Sequence, residues 1–234
     1  MKMYKKVMAA ALAGAMTVSM SATAFAADDD GYILKATNED SKSSDNDLVI
    51  AIEGSVSSMD PANIPDTNAI SATRGVYETL VSFDENQQLT GKLAESWEVS
   101  DDSLTYTFKL RQGVKFQDGT DFNAAAVKAN YDRVVDKDNN LRQRRTFIVS
   151  NADGSETPRV DSIETPDDYT LVIKLTQAWA PFINRLTQFC IISPAAIEEY
   201  GNDVMNHPCG TGPYVCTEWE EGCLLYTSDA ADEA

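Results

Sequence analysis

Two stretches of this chain impose the same local structure. Trp97 to Leu110 reads WEVSDDSLTYTFKL, and Ile163 to Leu175 reads IETPDDYTLVIKL. In each, an Asp-Asp pair separates two extended runs. Tyr106, Phe108 and Leu110 alternate with Thr105, Thr107 and Lys109, and Tyr169, Leu171, Ile173 and Leu175 alternate with polar or smaller residues in the same way. A period of two sends successive side chains to opposite faces, so each run is a strand with one core face and one wet face. Aspartate bonds locally to nearby backbone, which favours turns at Asp101-Asp102 and Asp167-Asp168. Two similar hairpins are too few for a repeat array. They predict one small sheet built from both.

Helical spacing appears around them. Asn123 is a suitable N-cap, and Val127, Tyr131, Val134 and Val135 recur at helical intervals, which predicts a helix from about Asn123 to Val135. A second helical stretch is expected from Pro181 to Gln188, with Pro181 in its first turn. A third is expected from Pro194 to Tyr200, capped by Ser193 and stopped by Gly201. Upstream, Leu48–Ile52 reads as a buried strand and 54–66 as a loop. Asn68 can then cap a helix over 69–80. Gly210–Tyr214 is a tight turn leading into a strand from Tyr214 to Trp219. Strands interleaved with helices place the chain in the α/β or α+β class.

A length of 234 residues at 43% hydrophobic suffices for one or two domains with a sizeable core. The net charge of -18 repels phosphate backbones, so a nucleic-acid partner is not expected. Lys2, Lys5 and Lys6, the apolar run 7–20 and Ala24-Phe25-Ala26 together read as a secretory signal peptide over 1–26. The run is too short for a membrane span. Residues 27–47 are acidic and poor in apolar side chains, and read as a flexible leader. No Cys follows the cleavage site, so a lipid anchor is not expected. The mature protein is expected to be soluble and exported, periplasmic or extracellular.

Several segments resemble the extracellular solute-binding proteins that serve peptide and nickel ABC importers. Residues 104–119, LTYTFKLRQGVKFQDG, are similar to that family's T-Y-T-F-x-L-R-x-G-V-K-F-H-D-G, with Gln117 where the family commonly has His. Met59-Asp60-Pro61 resembles its L-D-P, and 77–81 its Y-E-x-L-V. Residues 207–214, HPCGTGPY, resemble H-P-V-G-T-G-P-Y, with Cys209 for Val. The resemblance implies a periplasmic-binding-protein-like two-lobed clamp that closes by hinge motion, with only the first lobe and its small extra subdomain present. It implies a main-lobe start over 48–85, a small mixed α/β subdomain over 86–205 and a return to the main lobe over 206–222. The implied function is capture of peptides or a related small solute for delivery to a membrane permease complex, by a monomer without a cofactor. The implied ligand contacts after the L-D-P motif are Ile64, Thr67, Asn68 and Ala69. Arg142-Gln143-Arg144 with Phe147 is similar to the nickel-chelate branch, which implies Arg144 and Phe147 in the pocket. The second Arg expected near Thr187–Cys190 is missing, which places peptides before nickel chelates.

The family resemblance stops after Gly222. Residues 223–234 look like one frame of a sequencing adapter, so they are expected to be foreign, and a chain without the second lobe is expected to bind ligand weakly. Cys209, Cys216 and Cys223 with His207 lack the spacing of a zinc knuckle, so no metal site is expected. A disulfide among Cys190, Cys209 and Cys216 is permitted in an oxidising compartment, with no pair singled out. A secreted hydrolase, the rival from another class, would have to use His207, the one His in the chain. No G-x-S-x-G, P-loop or H-E-x-x-H accompanies it, so no catalytic residue is assigned. An adhesion module is the third reading; it predicts retention on cells, where a free receptor is released by osmotic shock.

Overall fold

The computed structural model describes residues 56–64, 67–220 and 223–228. The signal peptide, the acidic leader and the strand expected over 48–52 lie outside the described residues. In chain order the strands are β1 (Val81–Phe83), β2 (Leu89–Gly91), β3 (Ala94–Val99), β4 (Thr105–Leu110), β5 (Ile148–Ser150), β6 (Glu156–Pro158), β7 (Val160–Asp167), β8 (Thr170–Leu175), β9 (Tyr214–Glu220) and β10 (Cys223–Ser228). The helices are α1 (Thr67–Thr73), α2 (Ala124–Val135), α3 (Arg144–Phe147), α4 (Phe182–Arg185) and α5 (Pro194–Tyr200), joined by short 3-10 turns.

The two hairpins form one antiparallel sheet in the order β3-β4-β8-β7. Phe108 pairs with Leu171 and Tyr106 with Ile173 across its centre, and all four side chains are buried. The alternation in sequence therefore becomes one continuous apolar face. The two turns differ in detail. In the first, Asp102 Oδ1 accepts from the Leu104 amide at 3.0 Å, and Ser103 takes a left-handed φ of 58°. In the second, Asp167 Oδ1 accepts from the Tyr169 amide at 2.9 Å, and two residues suffice to link the strands.

Helix α2 begins where its cap predicts, with the Asn123 side chain accepting from the Ala126 amide at 2.9 Å. Val127 and Val134 enter the larger core with the sheet residues. The same helix also buries Asn130 and Arg133, which a search for apolar periodicity passes over. Asn130 exchanges two hydrogen bonds with the Ile192 backbone, donating to its carbonyl at 2.7 Å and accepting from its amide at 2.9 Å. Arg133 holds Asp60 by two bonds of 3.2 and 2.7 Å, and the two side chains are only 5% and 4% exposed. A buried ion pair is stable only when its geometry replaces lost hydration; here the fork is bidentate and Asp60 Oδ1 also accepts from the Ala62 amide.

One expectation is corrected. The helix predicted over 69–80 spans only Thr67–Thr73, and Asn68 lies inside its first turn and not ahead of it. The chain turns at 74–76 and does not continue as helix, because distant segments claim the carbonyls beyond it. Gly212 donates to the Val76 carbonyl at 2.9 Å, Tyr214 to Gly75 at 3.1 Å, Ile191 to Glu78 at 3.0 Å and Leu93 to Thr79 at 3.1 Å. Gly210 and Gly212 allow this approach: a Cβ on either would lie 2.1 Å from the Val76 carbonyl oxygen or 2.4 Å from that of Gly75. Pro181 stands at the cap position ahead of α4, which gives way to a 3-10 turn at Leu186. Ser193 caps α5 and Gly201 follows it with φ 57°, as the sequence predicts. Ser193 also donates to Asp118, whose other oxygen accepts from Thr120 at 2.5 Å. β9 pairs antiparallel with β10, so the backbone ladder runs into residues 223–228.

Two predictions follow from these contacts. Asp60→Asn or Arg133→Met leaves one buried charge unpaired and should cost about 3–5 kcal/mol in chemical denaturation. The double change Asp60→Leu with Arg133→Met should recover much of that loss. For Asp118, partial burial raises the carboxyl pKa, but hydrogen bonds from Ser193 and Thr120 outweigh it and leave the pKa below its ordinary value. The unfolded chain then binds the extra proton, so this contribution is present above the ordinary carboxylate pKa and is lost as pH falls through the depressed one. Asp118→Asn should flatten the acid limb of a stability-versus-pH curve.

Candidate functional site

An open cleft of about 700 Å³ lies against α1, the extended segment after it and the stretch leading into α3. Its walls collect exposed apolar groups. Ile70, Phe83 and Tyr214 line it, at 42%, 43% and 38% exposure, and they are three of the four large hydrophobic side chains exposed among the described residues. Exposed apolar surface gathered in one concavity marks a place where something binds. The charged lining residues are Arg74, Lys92, Arg142 and Arg145 against a single acid, Glu78. Glu78 is already engaged, with Lys92 at 3.1 Å and the Thr211 hydroxyl at 2.9 Å.

Two lining groups are set by burial. The Tyr77 phenol is pushed well above its ordinary pKa, chiefly by burial and then by the nearby Asp60 charge, and its hydroxyl has no hydrogen-bond partner among the described residues. It is a neutral, apolar-facing part of the wall at physiological pH. Burial likewise pushes the Cys190 thiol up to about 12, against a smaller opposing effect of Arg74. A protonated thiol is a poor nucleophile, so Cys190 contributes shape here. Cys190 and Cys209 are free thiols. His207 stacks on Tyr200 at 3.9 Å and sits 3.6 Å from Asp203, and it is not among the cleft-lining residues.

The residues singled out from sequence are divided by the structure. Ile64 lines the cleft. Thr67, Asn68 and Ala69 do not; they form the turn of α1 just before the lining residues Ile70, Thr73 and Arg74, and Ala69 is fully buried. Arg144 and Phe147 point away from it. Arg144 donates to Glu156 at 2.6 and 2.8 Å and to the Val135 carbonyl at 2.8 Å. Phe147 packs edge-on between Tyr131 and Phe189 at 5.2 and 5.3 Å. The reason is helical phase: residues three apart share a face. Arg144 and Phe147 share the side of α3 turned from the cleft, while Arg145 and, just ahead of the helix, Arg142 line the cleft.

Gln117 is a further residue whose role only the structure reveals. Its Oε1 accepts from the Gly210 amide at 3.1 Å, and its Nε2 donates to the carbonyls of Gly212 at 3.0 Å and Tyr214 at 2.7 Å. It thereby fastens the turn that carries Tyr214 into the cleft wall.

A sheet-and-helix lobe with an open cleft beside it is the arrangement of one half of a two-lobed periplasmic binding protein, and the solved structures that match are of this class. The chain superposes on NikZ from Campylobacter jejuni in complex with Ni(L-His), with a TM-score of 0.66 at 25% identity, covering 76% of this chain and 34% of that one. It matches the ABC transporter-associated periplasmic binding protein DppA from Helicobacter pylori in complex with peptide STSA, with a TM-score of 0.61 at 29% identity, covering 76% of this chain and 38% of that one. It is 41% identical over 177 residues to the glutathione-binding protein GsiB of Escherichia coli K12, covering 75% of this chain and 33% of GsiB. The chain thus spans about a third of the length of the curated relatives it matches. Residues 88–226 match the family described as bacterial extracellular solute-binding proteins, family 5 (middle region), and the chain belongs to that family.

If Gln117 anchors the Gly210–Tyr214 turn, Gln117→Ala strands the buried Gly210 amide and should cost about 1–3 kcal/mol. Hydrogen exchange at the Gly212 and Tyr214 amides should quicken more than exchange in β4 or β8. Gln117→His should keep most of the stability.

Proposed function

We propose that this chain is the first-lobe part of the solute-capturing subunit of an ABC importer. It takes up peptides or peptide-sized solutes outside the cytoplasmic membrane and hands them to a membrane permease, working as a monomer. The observation that carries the reading is the cleft itself: in this family member, one open concavity gathers three of the four exposed large apolar side chains among the described residues, together with arginines that make no ion pair among them. Such a surface can hold a ligand's apolar parts and orient its charged ends. Ile64 contacts the ligand with Tyr214, Arg142 and Arg145. Thr67, Asn68 and Ala69 set the position of the lining residues after them, and Arg144 with Phe147 holds α3 in the phase that presents its neighbours. The signal peptide over 1–26 delivers the chain to its site of action.

Peptides come first because GsiB is named for glutathione and the DppA structure holds a peptide. A nickel chelate is the second reading. It is favoured by the likeness to NikZ with Ni(L-His) and by arginines that can grip a chelate's carboxylates. No bond-breaking chemistry is assigned to the cleft.

The test is calorimetric titration of the receptor at the full length of its relatives with glutathione, short peptides and nickel–histidine. Saturable one-to-one binding of a peptide is expected, and the 234-residue chain, which spans about a third of its relatives' length, should bind the same peptide at least about a hundredfold more weakly. Absence of binding to all three ligand types, or peptide hydrolysis during the titration, would sink the proposal.

A further inference from the structure

The balance of charge in the cleft runs against that of the chain. The whole sequence carries 37 acidic and 19 basic side chains, yet the cleft presents four cations and one carboxylate. Glu78 is matched by Lys92, so three guanidinium groups remain: Arg74, Arg142 and Arg145. None of them makes an ion pair among the described residues, whereas the neighbouring Arg144 is bound to Glu156. The three come from two separate pieces of chain. Arg142 precedes α3 and Arg145 lies in its first turn, and Arg74 follows the end of α1.

Surface arginines in a protein this acidic have many carboxylates available to pair with. Three left without them among the described residues, gathered in one concavity, form a focused positive field inside a negative surround. Guanidinium also matches carboxylate by a two-bond fork, which a neutral amide cannot reproduce. We infer that the cleft selects anionic solutes: peptides or peptide-like molecules bearing at least two carboxylates, in preference to neutral or cationic ones of the same size. The inference rests on the receptor reading and adds the charge class of the ligand. Arg142 and Arg145 are the specificity-determining pair, with Arg74 as the third cation.

The experiment uses the full-length receptor and three tripeptides of equal length: Glu-Gly-Glu, triglycine and Lys-Gly-Lys. Glu-Gly-Glu should bind about tenfold tighter than triglycine at low salt, with the gap shrinking at high salt, and Lys-Gly-Lys should bind weakest. Arg142→Ala with Arg145→Ala should close most of the gap between the acidic and neutral peptides. Arg142→Lys with Arg145→Lys should keep part of it, which separates charge selection from a general loss of fold. Equal affinity for all three peptides, or a preference for the acidic peptide that survives Arg142→Ala with Arg145→Ala and neutralisation of Arg74, would overturn the inference while leaving the receptor reading in place. Failure of every peptide to bind would overturn both.

Discussion

The buried pair between Asp60 and Arg133 connects sequence positions 73 apart and ties the start of the described chain to helix α2. Asp60 sits in the loop that leads to the cleft, and it holds that loop's 3-10 turn through the Ala62 amide. Arg133 stands on a helix whose apolar side belongs to the sheet core. Through Asp60 the helix also reaches the second, smaller core around Met59, Val76, Tyr77 and Ile192. Asn130 makes the same crossing by pairing with the Ile192 backbone. α2 therefore joins two cores by polar groups whose hydrogen bonds are matched. Such contacts are directional and demand one arrangement, whereas apolar packing alone tolerates several.

A second constraint governs the wall that carries Tyr214. The turn at Gly210–Tyr214 presses its backbone onto that of Gly75 and Val76, at a distance only glycine permits. Gln117 then satisfies three of the backbone groups that meet there. A neutral amide does by donor and acceptor together what a His can do at the same place, without a proton that titrates near neutral pH. The cleft wall is thus set by backbone-to-backbone contact and one side chain, and its apolar rim is presented on a rigid support.

Charge is distributed with equal consequence. Most acidic groups serve the surface and the turns, as Asp102, Asp167 and Asp153 do by accepting local amide bonds. Where a carboxylate meets an arginine, at Asp60 with Arg133 or Glu156 with Arg144, the pair is structural. Of the other arginines among the described residues, Arg74, Arg142 and Arg145 line the cleft, whereas Arg111 donates to the Lys92 carbonyl and Arg159 stacks on Trp179. The separation of Arg144 from Arg142 and Arg145, three residues within one short segment, assigns one guanidinium to an ion pair with Glu156 and two to the cleft lining.

The sequence by itself determined the four-stranded sheet, because an alternation of period two commits Tyr106, Phe108, Leu171 and Ile173 to one face whatever surrounds them. It determined α2 and α5 through Asn123 and Ser193, whose caps are local bonds spanning three residues. It also carried the family motifs, since those lie at close approaches and turns where few residues fit. Tertiary structure alone decided where α1 stops, because the carbonyls of Gly75, Val76, Glu78 and Thr79 are taken by partners far along the chain. It decided the buried roles of Asn130 and Arg133, which carry no apolar signal. It also decided which arginine faces the cleft. Local spacing specifies what neighbours in sequence do to each other; the phase of a single helical turn, or the partner of a buried charge, is settled only when distant segments compete for the same space.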